Sequence, residues 1–110
     1  MLALMASGLN GQSFAFNGYL PVKTEDRRAA LKTLEKRSAT LNQSQLFIET
    51  PYRNDAMLAD ILATCNGRTR LCIAADITLP EAFIKTLTVE KWKRKVPVIG
   101  KRPCVFIILA

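Results

Sequence analysis

Short apolar runs alternate with amphipathic stretches along the chain, a pattern that predicts strands separated by helices. Phe14 and Phe16 alternate with small or polar neighbours between Gly11 and Gly18, which predicts a strand before Pro21. Ala30, Leu31, Leu34 and Leu41 recur at spacings of three, four and seven. That spacing predicts an amphipathic helix from Thr24 to about Leu41, opened by a Thr24 hydroxyl cap with Glu25 and Asp26 in its first turn. Its other face carries Arg27, Arg28, Lys32, Lys36 and Arg37, and 42–44 is the loop out. The opening run MLALMASG reads as the last turns of a helix closed by Gly8, as though the sequence began inside an element.

Gln45 to Glu49 (QLFIE) predicts a second strand that stops at Thr50-Pro51. A Thr cap followed by Pro at the first helical position predicts a helix from Pro51 to about Cys65, because the proline ring presets φ and its missing N–H has no partner to lose there. That helix buries Met57, Leu58, Ile61, Leu62 and Cys65, and Asn66-Gly67 ends it. Arg70 to Asp76 (RLCIAAD) is nearly continuous in apolar residues, as in a strand covered on both faces. Ala82 to Thr88 predicts an antiparallel strand nearer an edge, and Thr88 to Trp92 one capped helical turn. Lys93 to Arg102 (KRKVPVIGKR) reads as a mobile basic loop or hairpin, and Cys104 to Leu109 (CVFIIL) as a buried strand. The order β, α, β, α, β, β, short α, β predicts an α/β domain over residues 1–110: a mixed five-stranded sheet with helices packed on it.

Composition narrows the chemistry. A 110-residue chain can bury roughly two-thirds of its unfolded surface, so a core forms without disulfide or metal staples. The absence of His removes Ser-His-Asp and Cys-His catalysis and any imidazole acid, base or metal ligand. Cys65, Cys72 and Cys104 are odd in number, form no CxxC pair and sit in apolar runs. They read as reduced core thiols, which implies a cytoplasmic protein; zinc would need ligands that are missing, and no metal is expected. No apolar run reaches the length of a membrane span. The formal net charge of +7 points to phosphate-rich or otherwise anionic partners.

The candidate chemistry gathers at strand ends. Glu49 ends an apolar strand beside a helix N-terminus, where open α/β sheets bind ligands. Asp76 ends the next strand in the same way. If those strands are neighbours, both carboxylates and the Thr50 and Thr78 hydroxyls face one mouth. Arg53 is placed to meet an anion there, or is a solvated charge. Trp92 stacks on a base or anchors its turn to the core, and Tyr19 and Tyr52 face a ligand or pack the rim.

The pieces taken together, ALMASGLNGQSFAFNGYLPVK, a basic amphipathic helix, LFIETPYR and CIAADITLPEAFIKTLTVEKW, resemble in order and spacing the C-terminal half of the tetrapyrrole (corrin/porphyrin) methylase family. Within it they are most similar to the branch that methylates ribosomal RNA of the small subunit. That branch reads ASGLP, F-x-GFLP, Y-E-S-P-H-R, A-R-E-L-T-K and G-T-L-x-E-L where this chain has 6–10, 16–21, 48–53, 75–79 and 85–92. The corrin and porphyrin branches have Met-Gly where this chain has Glu49-Thr50. Two positions depart from the ribosomal branch: its His is Tyr52 here, and its Arg-Glu is Ala75-Asp76.

The resemblance implies a methyltransferase that uses S-adenosyl-L-methionine, built of two α/β lobes with the cofactor between them, this chain being the second lobe and the first lying outside it. It further implies a homodimer and, as substrate, a ribose 2′-hydroxyl of small-subunit ribosomal RNA or of the small-subunit particle. Carried over by position, the cofactor contacts fall on the main chain at Glu49 and Ile77, with neighbours Asp76 and Thr78, and on Pro103 and Cys104 for the adenine side. Thr50, Tyr52, Arg53, Lys93, Arg94 and Lys95 fall on the substrate side. No catalytic residue is assigned; Glu49 is a candidate base by residue type alone. The alternatives are a tetrapyrrole C-methyltransferase, whose substrate carboxylates would also suit Arg53 and the lysines, and a basic RNA-binding module without catalysis.

Overall fold

The computed structural model describes residues 13–76 and 82–110. The expected helix-closing Gly8 and the 6–10 element, with Ile77 and Thr78, lie outside the described residues. Five strands, β1 (Phe14–Tyr19), β2 (Ser44–Ile48), β3 (Arg70–Ala75), β4 (Phe83–Thr88) and β5 (Cys104–Leu109), form one sheet in the order β1-β2-β5-β3-β4. β1 runs parallel to β2; the other neighbours are antiparallel. The sheet is therefore mixed, with β4 at an edge. Among the described residues three helices accompany it: α1 (Thr24–Leu41), α2 (Asn54–Thr64) and α3 (Val89–Arg94), with a 3-10 turn at Pro51–Arg53.

The main core lies between the sheet and these helices. Phe47, Leu71, Ile73, Phe106 and Ile108 project from the strands against Leu31 and Leu34 of α1, Met57, Leu58 and Ile61 of α2, and Val89 and Trp92 of α3. Phe47 and Phe106 are cross-strand partners whose rings stack at 5.8 Å. Side chains alternate along a strand, so Leu46, Cys72, Ala74 and Ile107 form a second buried cluster on the opposite face. Trp92 is 2% exposed and its indole N–H donates to the Leu71 carbonyl at 2.9 Å, so it anchors α3 and has no face free for a base.

Several helix ends differ from expectation. Thr24 is already inside α1; Lys23 occupies the cap position and no side chain caps the helix. Asn42 closes α1 in the left-handed conformation that Asn tolerates. Pro51 starts a 3-10 turn in place of an α-helix, and the Thr50 hydroxyl caps nothing. α2 ends at Thr64, with Cys65 already extended, so Gly67 is no helix cap. The start of α3 lies beside Gly67, where the Glu90 N–H donates to the Gly67 carbonyl at 2.9 Å. Thr88 does cap α3, its hydroxyl accepting from the Lys91 N–H.

The three cysteines are free and buried. Burial pushes the Cys65 and Cys104 thiols up to about 12, aided at Cys65 by the nearby Glu35 carboxylate, and raises Cys72 as well. A thiol whose folded pKa is raised stabilises the fold fully below its unfolded value of 9.0 and loses that contribution as pH climbs towards about 12. We expect stability to fall between those limits in an alkaline denaturation series. At pH 8 all three thiols should react with a disulfide reagent slowly in native protein and rapidly in denaturant; fast native reaction would contradict the burial.

Candidate functional site at the strand ends

β2 and β3 are not neighbours, contrary to the condition set above; β5 runs between them in the opposite direction. Because both are antiparallel to β5, they are parallel to each other, and their carboxyl ends reach the same sheet edge. Register extends this: Ile48, Val105 and Ala74 share a row, Cys104 pairs with Ala75, and the Asp76 N–H donates to the Pro103 carbonyl at 3.0 Å. Glu49 and Asp76 thus flank the start of β5, with Pro103 and Cys104 between them. Asp76 turns the chain out of the sheet with φ of 52°.

Below this edge lies a charged cluster. Arg27 is 3% exposed, not on the solvated helix face expected for it. Its Nη1 donates to Asp60 Oδ2 at 2.9 Å, its Nη2 to the Val22 carbonyl at 2.8 Å, and its Nε to the Pro21 carbonyl at 3.2 Å; Nη2 also lies 4.0 Å from Glu49 Oε2. One guanidinium therefore ties the β1–α1 connection, α2 and the end of β2 together. Arg28, half exposed, reaches the other Asp60 oxygen at 3.2 Å.

The Glu49 side chain is only 2% exposed. Its Oε1 accepts from the Thr50 N–H at 2.7 Å and from Arg53 Nε at 3.3 Å, while Oε2 has no hydrogen-bond partner. A carboxylate held this way organises the turn after β2 through Oε1. Arg53 is likewise engaged within the chain. Next to it the Thr50 hydroxyl is buried without a partner.

Within the run Lys93 to Arg102, expected to be a mobile basic loop or hairpin, Ile99, Gly100 and Arg102 are tethered to α2. The Asp55 carboxylate accepts the Ile99 N–H at 2.8 Å and the Gly100 N–H at 3.1 Å. The Asn54 amide donates to the Gly100 and Arg102 carbonyls at 3.2 and 2.7 Å. The two residues that open α2 therefore hold the turn leading into β5, where Gly100 adopts a φ of 69° that suits glycine. Beyond the clamp, Lys101 Nζ lies over the Tyr52 ring at 5.1 Å, and Arg102 sits 5.9 Å from the Phe83 ring and 3.9 Å from Asp76. Tyr52 is 81% exposed at this rim. Lys93 and Arg94 belong to α3 and Lys95 follows it; all three are exposed.

No protein-family profile matches the chain. Among curated proteins, it is 37% identical over 76 residues to ribosomal RNA small subunit methyltransferase I of Vibrio cholerae, covering 69% of this chain and 25% of that protein. It is 34% identical over 102 residues to the protein of that name from Halalkalibacterium halodurans, covering 90% and 34%. In the solved structures it is similar to the methyltransferase CobJ, with TM-score 0.61 and 16% identity over 98% of this chain and 46% of that one. It is also similar to a uroporphyrin-III C-methyltransferase from Thermus thermophilus complexed with S-adenosylhomocysteine, with TM-score 0.54 and 16% identity over 97% and 48%.

The chain is similar in sequence to proteins named ribosomal RNA small subunit methyltransferase I, and similar in fold to these two solved methyltransferases.

The chain spans about a quarter to a third of those two curated relatives. The fold is similar to that of these two solved methyltransferases. The sequence pattern put Arg27 on the polar face of α1 and gave no role to Asp60, Asn54 or Asp55. One of them left a trace: Arg27 shares with Leu31, Leu34 and Ser38 the spacing of the stripe that α1 buries. No helix among the described residues is long and apolar enough to cross a membrane.

Proposed function

We propose that this chain is the second lobe, and the C-terminal part, of a two-lobe methyltransferase that uses S-adenosyl-L-methionine to methylate a ribose 2′-hydroxyl of small-subunit ribosomal RNA. The observation that carries the proposal is the sequence match to relatives named ribosomal RNA small subunit methyltransferase I. The strand-end mouth fits the cofactor in kind: Thr50 offers a buried hydroxyl with no partner, and the main chain at Glu49, Asp76, Pro103 and Cys104 comes together at one edge. We assign Ile77 and Thr78 to the same site by resemblance alone.

When bound, the cofactor supplies an electrophilic sulfonium methyl for in-line transfer. The chain's own work is positioning, which can supply much of a methyl transfer's acceleration. Arg53 and Arg27 hold the Glu49 turn in shape, Asn54 and Asp55 hold the approach to β5, and Tyr52 offers the substrate an exposed aromatic face. Lys93, Arg94 and Lys95 offer phosphate contacts. We take the enzyme as cytoplasmic and homodimeric; the free, buried thiols support the compartment.

The test is a methylation assay with labelled cofactor. The full-length gene product should label deproteinised small-subunit RNA or intact small subunits, and leave a precorrin unlabelled. Label on the precorrin would move the assignment to a tetrapyrrole C-methyltransferase, and RNA binding without label to a non-catalytic module. The 110-residue chain alone should transfer no methyl group; robust turnover by it would overturn the half-enzyme reading.

A further inference from the structure

At the end of the sheet opposite the mouth, α1 and the turn between α2 and β3 enclose an open groove of about 400 Å³. Lys32 and Lys36 line it from one helical face, one turn apart, and Arg68 lines it from the turn. All three are exposed, and among the described residues none of them forms an ion pair. The groove's own acid is already committed: Glu35 Oε2 accepts the Asn66 N–H at 2.7 Å and the Thr69 hydroxyl at 2.6 Å. Glu35 therefore fixes the turn that presents Arg68, and three cations from two separate elements converge on one concavity.

We propose that this groove is a second nucleic-acid contact, a seat for the RNA phosphate backbone remote from the methyl-transfer mouth. It rests on the reading of the substrate as ribosomal RNA and sharpens it. Thr69 precedes β3 and Asp76 follows it, so groove and mouth are separated by the length of a strand, about 20 Å at 3.3 Å per residue. A ligand confined to the mouth does not reach the groove, whereas a folded RNA spans both. Phosphate contact by lysine and arginine needs no base recognition and works through charge and counterion release. The groove accordingly adds affinity and orientation for a large RNA and contributes nothing to a small substrate.

The experiment uses the full-length protein and deproteinised small-subunit RNA, with filter binding across a salt series. Lys32→Glu with Lys36→Glu and Arg68→Glu should raise the RNA dissociation constant about tenfold or more near 0.1 M salt. The neutral triple Lys32→Gln, Lys36→Gln and Arg68→Gln should lower the salt slope by about 2–3, one phosphate per cation removed. The cofactor dissociation constant and the melting transition should stay at wild-type values, because these side chains are on the surface. Unchanged RNA affinity and slope in both variants would overturn the proposal while leaving the enzyme assignment intact. A wild-type protein that neither binds nor methylates RNA would overturn the assignment itself. If the charge-reversed variant fails to fold, the glutamine variant decides alone.

Discussion

Replacing Arg27 by Met should destabilise the protein by about 3–5 kcal/mol, because it removes the buried partner from two ion pairs and leaves Asp60 and Glu49 with only the partly exposed Arg28 and Arg53. Met retains much of the side-chain volume, so the loss reports charge and hydrogen bonding more than a cavity. Asp60 and Glu49 would keep carboxylates in the interior, their side chains 8% and 2% exposed, and the Pro21 and Val22 carbonyls would lose their donor. Arg28 touches the same Asp60 from a half-exposed position, so Arg28→Ala should cost about 1 kcal/mol or less. The pair of variants separates burial from simple pairing. In urea titrations the Arg27 midpoint should fall far below wild type and the Arg28 midpoint should stay close; equal small shifts would show that Arg27 is not the tie described above.

The Arg27 cluster also marks where sequence reading ends. Strand and helix positions were legible because their periodicities are local: the spacings of Leu31, Leu34, Met57 and Ile61 record a single buried face. Sheet order was not, since nothing in RLCIAAD or CVFIIL states that β5 inserts between β2 and β3. The candidate mouth came through in part for the same reason. A residue that ends a strand can be read from its neighbours, but which strand ends meet is decided by pairing across 30 or more residues. The basic run Lys93 to Arg102 misled on mobility because its composition is that of a loop, whereas its restraint comes from Asn54 and Asp55, 44–48 residues earlier. At the start of α2 those two look like ordinary polar residues of a first turn.

That restraint carries the second large effect. Asn54 Nδ2 lies between two carbonyls, Gly100 and Arg102, so the amide orientation follows from its partners. In Asn54→Ala both carbonyls lose their donor, at about 1–3 kcal/mol for a buried group left unpaired. Asp55→Ala removes the acceptor for two successive N–H groups at the positive-φ Gly100 turn. With both gone, Ile99, Gly100 and Arg102 have lost four side-chain hydrogen bonds to α2, while the β5–β3 pairing beyond Pro103 remains. The effect is therefore local release of the segment that delivers Pro103 and Cys104 to the mouth. Hydrogen exchange should show the Ile99 and Gly100 amides losing protection in the double variant while those of β3 and β5 keep theirs. If Pro103 and Cys104 meet the adenine side of the cofactor, its dissociation constant should rise about tenfold, corresponding to roughly 1.4 kcal/mol. Loss of amide protection with unchanged cofactor affinity would keep the clamp and remove Pro103 and Cys104 from the site. Unchanged protection would remove the clamp.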